Sequence, residues 1–346
     1  MILSQTLARR FTGRSRRLAG AVLAVLAAVA FGPAVRADET PPSQLEHLLR
    51  SVVKIRTFVP PEADSARRLG AEREGNGIVV GDGGLIVTVS YLVLESMSAE
   101  IVGDKGRTLS ATVIGVDNET GLGFLRAKGA ASLPAIPLGD SRPLATDTPV
   151  VVAGSGGPEK AIPAVVVSRR PFAGSWEYLL DRAIYTAPAY ADWSGAALIS
   201  ADGKLLGVGS LMVRNARRDG ERMRGNVFIP SDILRPILAN VAATGHVTPH
   251  PHPWLGLNAI DHPGGLLVGH LSDHSPAEAA GVKRGDLVVG LAGRPVTDLI
   301  DFYHRVWAMG GPGVDVPLTI LRDGRDFDVR VRSADRYRFL SKEPTF

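Results

Sequence analysis

Residues 191–213 read ADWSGAALISADGKLLGVGSLMV. Two apolar runs, AALIS and LLGVGSLMV, flank the turn ADGK, which is the pattern of an antiparallel strand pair. Ser194 and Gly195 stand just ahead of the first run, where an acyl-transfer nucleophile would stand on a tight turn. A serine hydroxyl is inert at neutral pH, so Ser194 is a nucleophile only if the chain also supplies a base and an oxyanion site.

The same pattern extends outward. From Ser51 to about Phe228, short apolar runs such as SVVKIRTFV, GNGIVV, GLIVTVSYLV, SATVIGVD, TPVVVAG, AIPAVVVSRR and GNVFIP are broken by Gly, Asp and Pro. Strands at this spacing predict antiparallel barrels or sandwiches, and LGDSRPLATD (138–147) divides them midway. The period then changes. SDILRPILANVAATG (231–245) carries Ile233, Leu234, Ile237, Leu238 and Val241 at helical spacing, with Ser231 read as N-cap and Gly245 as stop. HVTPHPHP (246–253) follows as a Pro/His linker. Beyond it, LLVGHL, DLVVGLAG, VPLTILRDG and RDFDVRVR read as strands, SPAEAAG and VTDLIDFYHRVWAMGG as helices. In SPAEAAG, Ser275 caps, Pro276 takes the first helical position and Gly281 terminates.

At 346 residues and 45% hydrophobic side chains, the chain has room for two ordered domains. Residues 1–37 differ from the rest: a basic stretch, the apolar run AVLAVLAAVAFG, and a small-x-small site before Asp38. This is the anatomy of a secretory signal peptide. Its apolar run is too short to span a bilayer comfortably, so no stable membrane span is expected after cleavage. The pairs Arg9–Arg10 and Arg16–Arg17 leave Sec and twin-arginine export both open. Removing the segment's six arginines from 39 Lys and Arg leaves 33 against 35 Asp and Glu, a formal charge of −2. Nothing in that balance favours nucleic acid as a partner. With no cysteine, the chain has no disulfide framework, thiolate metal site or thiol nucleophile. An exported, cysteine-free protein of this kind is expected in a bacterial periplasm.

WLGL (254–257) and SPAEAAGVKRGDLVVGLAGRPVTDLIDFYHRV (275–306) closely resemble a bacterial PDZ domain of the HtrA/Deg protease type. The specific elements are SPAxxAG(V/L)xxGD and G(R/K)PV. Upstream, GNGIVV…GLIVT, LGDS, SGAALIS-DGKLLGV and the FIP before a helix fall in the order and spacing of the same family's peptidase region. The resemblance implies a mainly β fold, a chymotrypsin-like double antiparallel β-barrel followed by a small α+β PDZ domain. Residues 1–37 are then the signal peptide, 38–243 the barrels, 244–253 the linker, 254–336 the PDZ domain and 337–346 a tail.

By the same resemblance, a peptidase of this type needs His, Asp and Ser. Tyr91, in TVSYLV, stands where the family has the histidine of T-N-x-H-V. Gly121, in GVDNETGLGFL, stands at the aspartate's place. Ser194 and Gly195 persist, but Asp192 replaces the glycine whose amide builds the oxyanion hole, and Ala196–Ala197 replace Gly-Pro. Tyrosine, with an ordinary pKa near 10, is a poor proton acceptor at neutral pH. Glycine orients nothing, and a carboxylate at Asp192 has the wrong sign to stabilise an oxyanion. One further observation is independent of alignment. The histidines are His47, His246, His250, His252, His262, His270, His274 and His304, so residues 48–245 contain no imidazole. Lys54, Lys105, Lys128, Lys160 and Lys204 fall on strand ends or polar turns, away from Tyr91 in the inferred layout.

These residues predict an exported HtrA-like pseudoprotease, a sensor or scaffold in envelope protein quality control, with Tyr91 and Trp193 filling the old cleft. The alternative is an active endopeptidase using Ser194 with a non-standard base. That alternative requires a titratable side chain within hydrogen-bond reach of the Ser194 hydroxyl. PDZ domains add an extended peptide end as a strand and hold its carboxylate in a backbone nest. Here the resemblance places the nest at Leu255, Gly256 and Leu257, beside Trp254. It places the groove's other wall on the helix bearing Leu299, Phe302, Tyr303 and Val306, for which plain core packing is the competing account. Peptide or protein C-termini are the expected partners, and the family's trimers suggest a homo-oligomer. His246, His250 and His252 could hold a transition metal, but without a carboxylate partner a flexible linker and no metal are expected. VVVAGSGGPEKA lacks the Lys-Ser/Thr of a phosphate loop, so no nucleotide or other cofactor is expected.

Overall fold

The computed structural model describes residues 46–340 except 104–105, 130–132, 218–221 and 249. The signal-peptide segment, Lys105 and the end of the tail lie outside the described residues. Six strands form the first barrel: β1 (Val52–Phe58), β2 (Glu72–Gly81), β3 (Leu85–Val89), β4 (Ser98–Val102), β5 (Thr108–Asp117) and β6 (Leu122–Ala127). They close in the order β1-β2-β3-β6-β5-β4. The alternation that predicted strands sorts the side chains of β1: Val53, Ile55 and Thr57 point inward, while Lys54 and Arg56 reach Glu74 outside at 2.7 and 2.8 Å. Two short helices sit at this barrel's rim, α1 (Ala66–Leu69) and α2 (Ser90–Val93).

The second barrel takes β7 (Pro149–Ala153), β8 (Ala161–Gly174), β9 (Tyr178–Ala187), β10 (Ala197–Ile199), β11 (Leu205–Val213) and β12 (Gly225–Pro230), closing as β10-β11-β12-β9-β8-β7. Residues 138–147 lie between the barrels, as expected. Val151, Ala197, Val208 and Val227 of the second barrel join Ile78, Ile86 and Phe124 of the first in one continuous core.

Helix α3 (Ser231–Thr244) follows, with one correction to its start. Pro230, held extended at φ −65°, ψ 145°, is the N-cap, and Ser231 is the first helical residue. The cap comes from elsewhere: the Ser141 hydroxyl accepts the Asp232 N–H at 3.1 Å, while Ser231 Oγ donates to Gly139 O at 3.2 Å. Gly245 ends the helix at φ +82°, its N–H donating to Val241 O at 2.8 Å.

The last module is a sheet of β13 (Leu257–His262), β14 (Gly265–Leu271), β15 (Leu287–Leu291), β17 (Asp315–Arg322) and β18 (Arg325–Arg332), in that order, with β16 (Arg294–Pro295) beside β15. This order leaves β13 at an edge. Helices α4 (Pro276–Ala279) and α5 (Leu299–Trp307) cover the sheet, and Ser275 caps α4 by accepting Glu278 N–H. Near the end of the Pro/His linker, His252 makes two contacts. His252 stacks on Trp307 at 4.5 Å, and its backbone N–H donates to Glu119 at 3.3 Å. Past the sheet, α6 (Arg336–Leu340) begins the tail, and the Tyr337 hydroxyl accepts Asn118 N–H at 2.8 Å. Among the described residues, no helix is long and apolar enough to cross a membrane.

Candidate functional site

Ser194 sits on the turn that enters β10, and this turn is pressed against β2. Asn76 on β2 clamps it: its backbone N–H donates to Ser194 O at 2.8 Å, and its Nδ2 donates to Asp192 O at 2.7 Å and Ser194 O at 3.0 Å. Asn76 Oδ1 accepts the Ser155 N–H at 2.7 Å. Gly195 lies at φ +72°, and a Cβ there would stand 1.9 Å from Asn76 O. The barrel packing therefore demands glycine at 195, whatever Ser194 does.

Across the barrel interface, α2 delivers Tyr91. Its hydroxyl is hydrogen-bonded to Ser194 Oγ at 2.9 Å and donates to Ser210 O at 3.1 Å. A titratable group is thus within reach of Ser194, which is the feature the active alternative requires. Its electrostatics run against that use. Burial pushes the phenol above its usual value, and its hydrogen bond with Ser194 offsets this only in part. At neutral pH the group keeps its proton and donates it.

Gly121 lies at φ +76° on the turn before β6, its carbonyl accepting Ser90 N–H at 2.7 Å. A Cβ at this position would meet the Tyr178 ring at 2.7–2.9 Å. The ring fills the space a side chain at 121 would enter, and the Tyr178 hydroxyl donates to Thr120 O at 3.2 Å. Asp192 departs from expectation. Its carboxylate pairs with Lys160 Nζ at 3.2 Å on the exposed rim, where the ammonium and solvent stabilise it. A cavity of about 580 Å³ opens beside these groups, walled by Tyr91, Trp193 and Ser210, and by Trp176, Tyr178 and Trp254.

That cavity reaches the loop before β13. The backbone N–H groups of Leu255, Gly256 and Leu257 converge, and all three donate to the Glu177 carboxylate at 2.9, 2.6 and 3.1 Å. Glu177 ends the three-residue tip between β8 and β9 and has φ +59°. On the same tip, Ser175 O accepts Ala259 N–H from β13 at 3.2 Å. Tyr303 Oη donates to Gly174 O at 2.7 Å and accepts Glu177 N–H at 3.2 Å. Burial pushes the Glu177 carboxyl up to about 7, with the three amides and Arg336 pulling it back only part of the way. Leu299, Phe302 and Val306 are buried in the module's core, and Trp254 is buried against the loop. Asn76, Glu177 and Tyr178 carry no sequence signal, because each acts on residues about 60 to 120 positions away in the chain.

The fold and these loops define a class. A trypsin-like peptidase domain matches residues 75–208, and a PDZ domain matches residues 253–332. The chain thus carries a trypsin-like peptidase domain followed by a PDZ domain, and its relatives among known proteins are HtrA/DegP-type proteases. It is 27% identical over 280 residues to the probable periplasmic serine endoprotease DegP-like of Halomonas elongata, covering 75% of this chain and 56% of that one. It is 25% identical over 300 residues to the DegP-like protein of Ectopseudomonas mendocina, covering 82% of this chain and 60% of the relative. Serine protease PepD of Mycobacterium tuberculosis is 28% identical over 316 residues, covering 84% and 66%. The chain thus spans little more than half the length of the DegP-like relatives it matches. Among solved structures, the HtrA-type protease AlgW with decapeptide superposes with a TM-score of 0.50 at 18% identity, covering 84% of this chain and 98% of that one. That likeness concerns the fold.

Proposed function

We propose that this chain is an exported, non-cleaving member of the HtrA type, which recognises peptide or protein C-termini through its PDZ domain. It serves as a sensor or scaffold in envelope protein quality control. The observation that carries this reading is the pairing of Ser194 Oγ with a phenol that burial keeps protonated. Without a proton acceptor, an alcohol does not attack an amide. The glycine at 121 and the Tyr178 ring packed against it support the same view. Two features support the periplasm: the basic, apolar and small-x-small order of residues 1–37, and the naming of the DegP-like relatives as periplasmic. Assembly into a homo-oligomer, a trimer by analogy with the type, is part of the proposal and is read by light scattering on the mature chain.

The test uses the mature protein with unfolded casein and a serine-reactive phosphonate. No turnover and no label on Ser194 are expected, and turnover that Ser194→Ala abolishes would refute the reading. The second reading, an active endopeptidase, draws on the 2.9 Å contact between Tyr91 and Ser194. It requires a phenolate, so activity would climb toward high pH and vanish in Tyr91→Phe.

A further inference from the structure

Three backbone N–H groups aimed at one point form a carboxylate site, and in this chain the site is filled from within. We propose that the tip of the β8–β9 hairpin is an internal ligand of the PDZ groove. The Glu177 side chain stands where a partner's terminal carboxylate would sit, so a chain end binds only by displacing it. This rests on the reading of the PDZ domain given above.

Four observations carry it. First, Glu177 occupies all three amides with both carboxylate oxygens, leaving none for an incoming group. Second, the tip also copies the backbone half of peptide binding. Ser175 O takes the Ala259 N–H on the edge strand β13, the kind of contact an added strand makes. Third, the hairpin itself does not need this position. Gly174 already pairs with Tyr178, so residues 175–177 project beyond the barrel as a loop. Fourth, Glu177 is buried with a left-handed φ of +59°, a backbone state uncommon for a residue with a Cβ. A buried carboxylate is tolerated only where hydrogen bonds replace its water, and here the PDZ loop supplies them.

The chemistry specifies the partner: an extended peptide with a free terminal carboxylate and an open backbone edge. Its apparent affinity is the intrinsic one multiplied by the fraction of chains whose tip has left. Trp176 and Glu177 also wall the cavity that reaches Tyr91 and Ser210, so displacement reshapes the cleft around Ser194.

The experiment uses the full mature chain, with Glu177→Ala and Glu177→Gln alongside. The probe is a fluorescein-labelled decapeptide pool, randomised at its last four positions, with free or amidated C-termini. In parallel, hydrogen exchange is read at the amides of Leu255, Gly256 and Leu257. Glu177→Ala should bind the free-carboxylate pool at least about tenfold more tightly than wild type, leave the amidated pool unchanged, and lose at least about tenfold protection at the three amides. Glu177→Gln, which keeps the side chain's size, should move in the same direction and guards against misfolding of the first variant. Unchanged protection in both variants overturns the proposal, as does equal affinity of the free-carboxylate pool for wild type and variants. Lost protection without any peptide binding would instead refute chain-end capture while leaving the internal ligand standing.

Discussion

At Ser194 the question is which way one proton points. The Tyr91 phenol lies 2.9 Å from the serine hydroxyl and shares its hydrogen with Ser210 O, so it acts as a donor. On the proposed reading, placing a base at 91 is not enough by itself, because the space beside Gly121 is filled. A Cβ at Gly121 meets the Tyr178 ring at 2.7 Å. Gly121→Asp is therefore expected to lower stability by about 1–3 kcal/mol through overpacking, measured by thermal melting. On the proposed non-cleaving reading, Tyr91→His with Gly121→Asp should not cleave casein, and cleavage by this double variant would contradict the role given to Tyr178. The missing imidazole was legible in the sequence, since residues 48–245 contain no histidine. The Tyr178 ring was not. It lies 57 positions from Gly121, and nothing local ties the two together.

Among the elements, the turn of residues 191–196 and strand β2 behave as one unit. Asn76 holds two of the turn's carbonyls, and Gly195 lets the backbones approach. Gly195→Ala sets a Cβ 1.9 Å from Asn76 O, backbone against backbone, where no side chain can swing away. A loss of about 3 kcal/mol or more is expected in denaturant melts; a loss below roughly 1 kcal/mol would show that the turn can shift. The Ser-Gly pair thus has a packing reason to exist without catalysis. Helix α3 shows where reading an element from its own sequence stops. Its apolar spacing and Gly245 stop were legible, but its cap comes from Ser141, some 90 residues upstream, so Ser231 was misread. The contacts of His252 in the linker were not legible for a similar reason: Trp307 and Glu119, both distant in sequence, hold it.

Across the whole molecule, the barrels and the PDZ domain meet through a carboxyl group, which makes the contact sensitive to pH. Docking raises the Glu177 carboxyl from its ordinary 4.5 to about 7, so the docked state holds its proton more tightly than the free hairpin does. The contact is then strongest below the free value and weakens as pH rises through about 7. The groups facing it are Arg336, Tyr303 and Glu119, the last also pushed to about 7 by burial, with His252 beside it. Affinity for free-carboxylate peptides should therefore increase between pH 6 and pH 8 in the wild type and become flat in Glu177→Gln. A slope that persists in Glu177→Gln would assign the effect to Glu119.

Strand spacing, glycine turns, helical period and the SPAEAAG…GRPV segment determined the order of elements, the two barrels and the PDZ domain, because those signals are local and repeat along the chain. The composition of residues 48–245 determined that the barrels themselves supply no imidazole to Ser194. Only the tertiary structure decided what packs at these positions: Tyr178 against Gly121, Lys160 on Asp192, and Glu177 in the Leu255–Leu257 loop. Such contacts join residues far apart in sequence, and folding alone brings their donors, acceptors and volumes together.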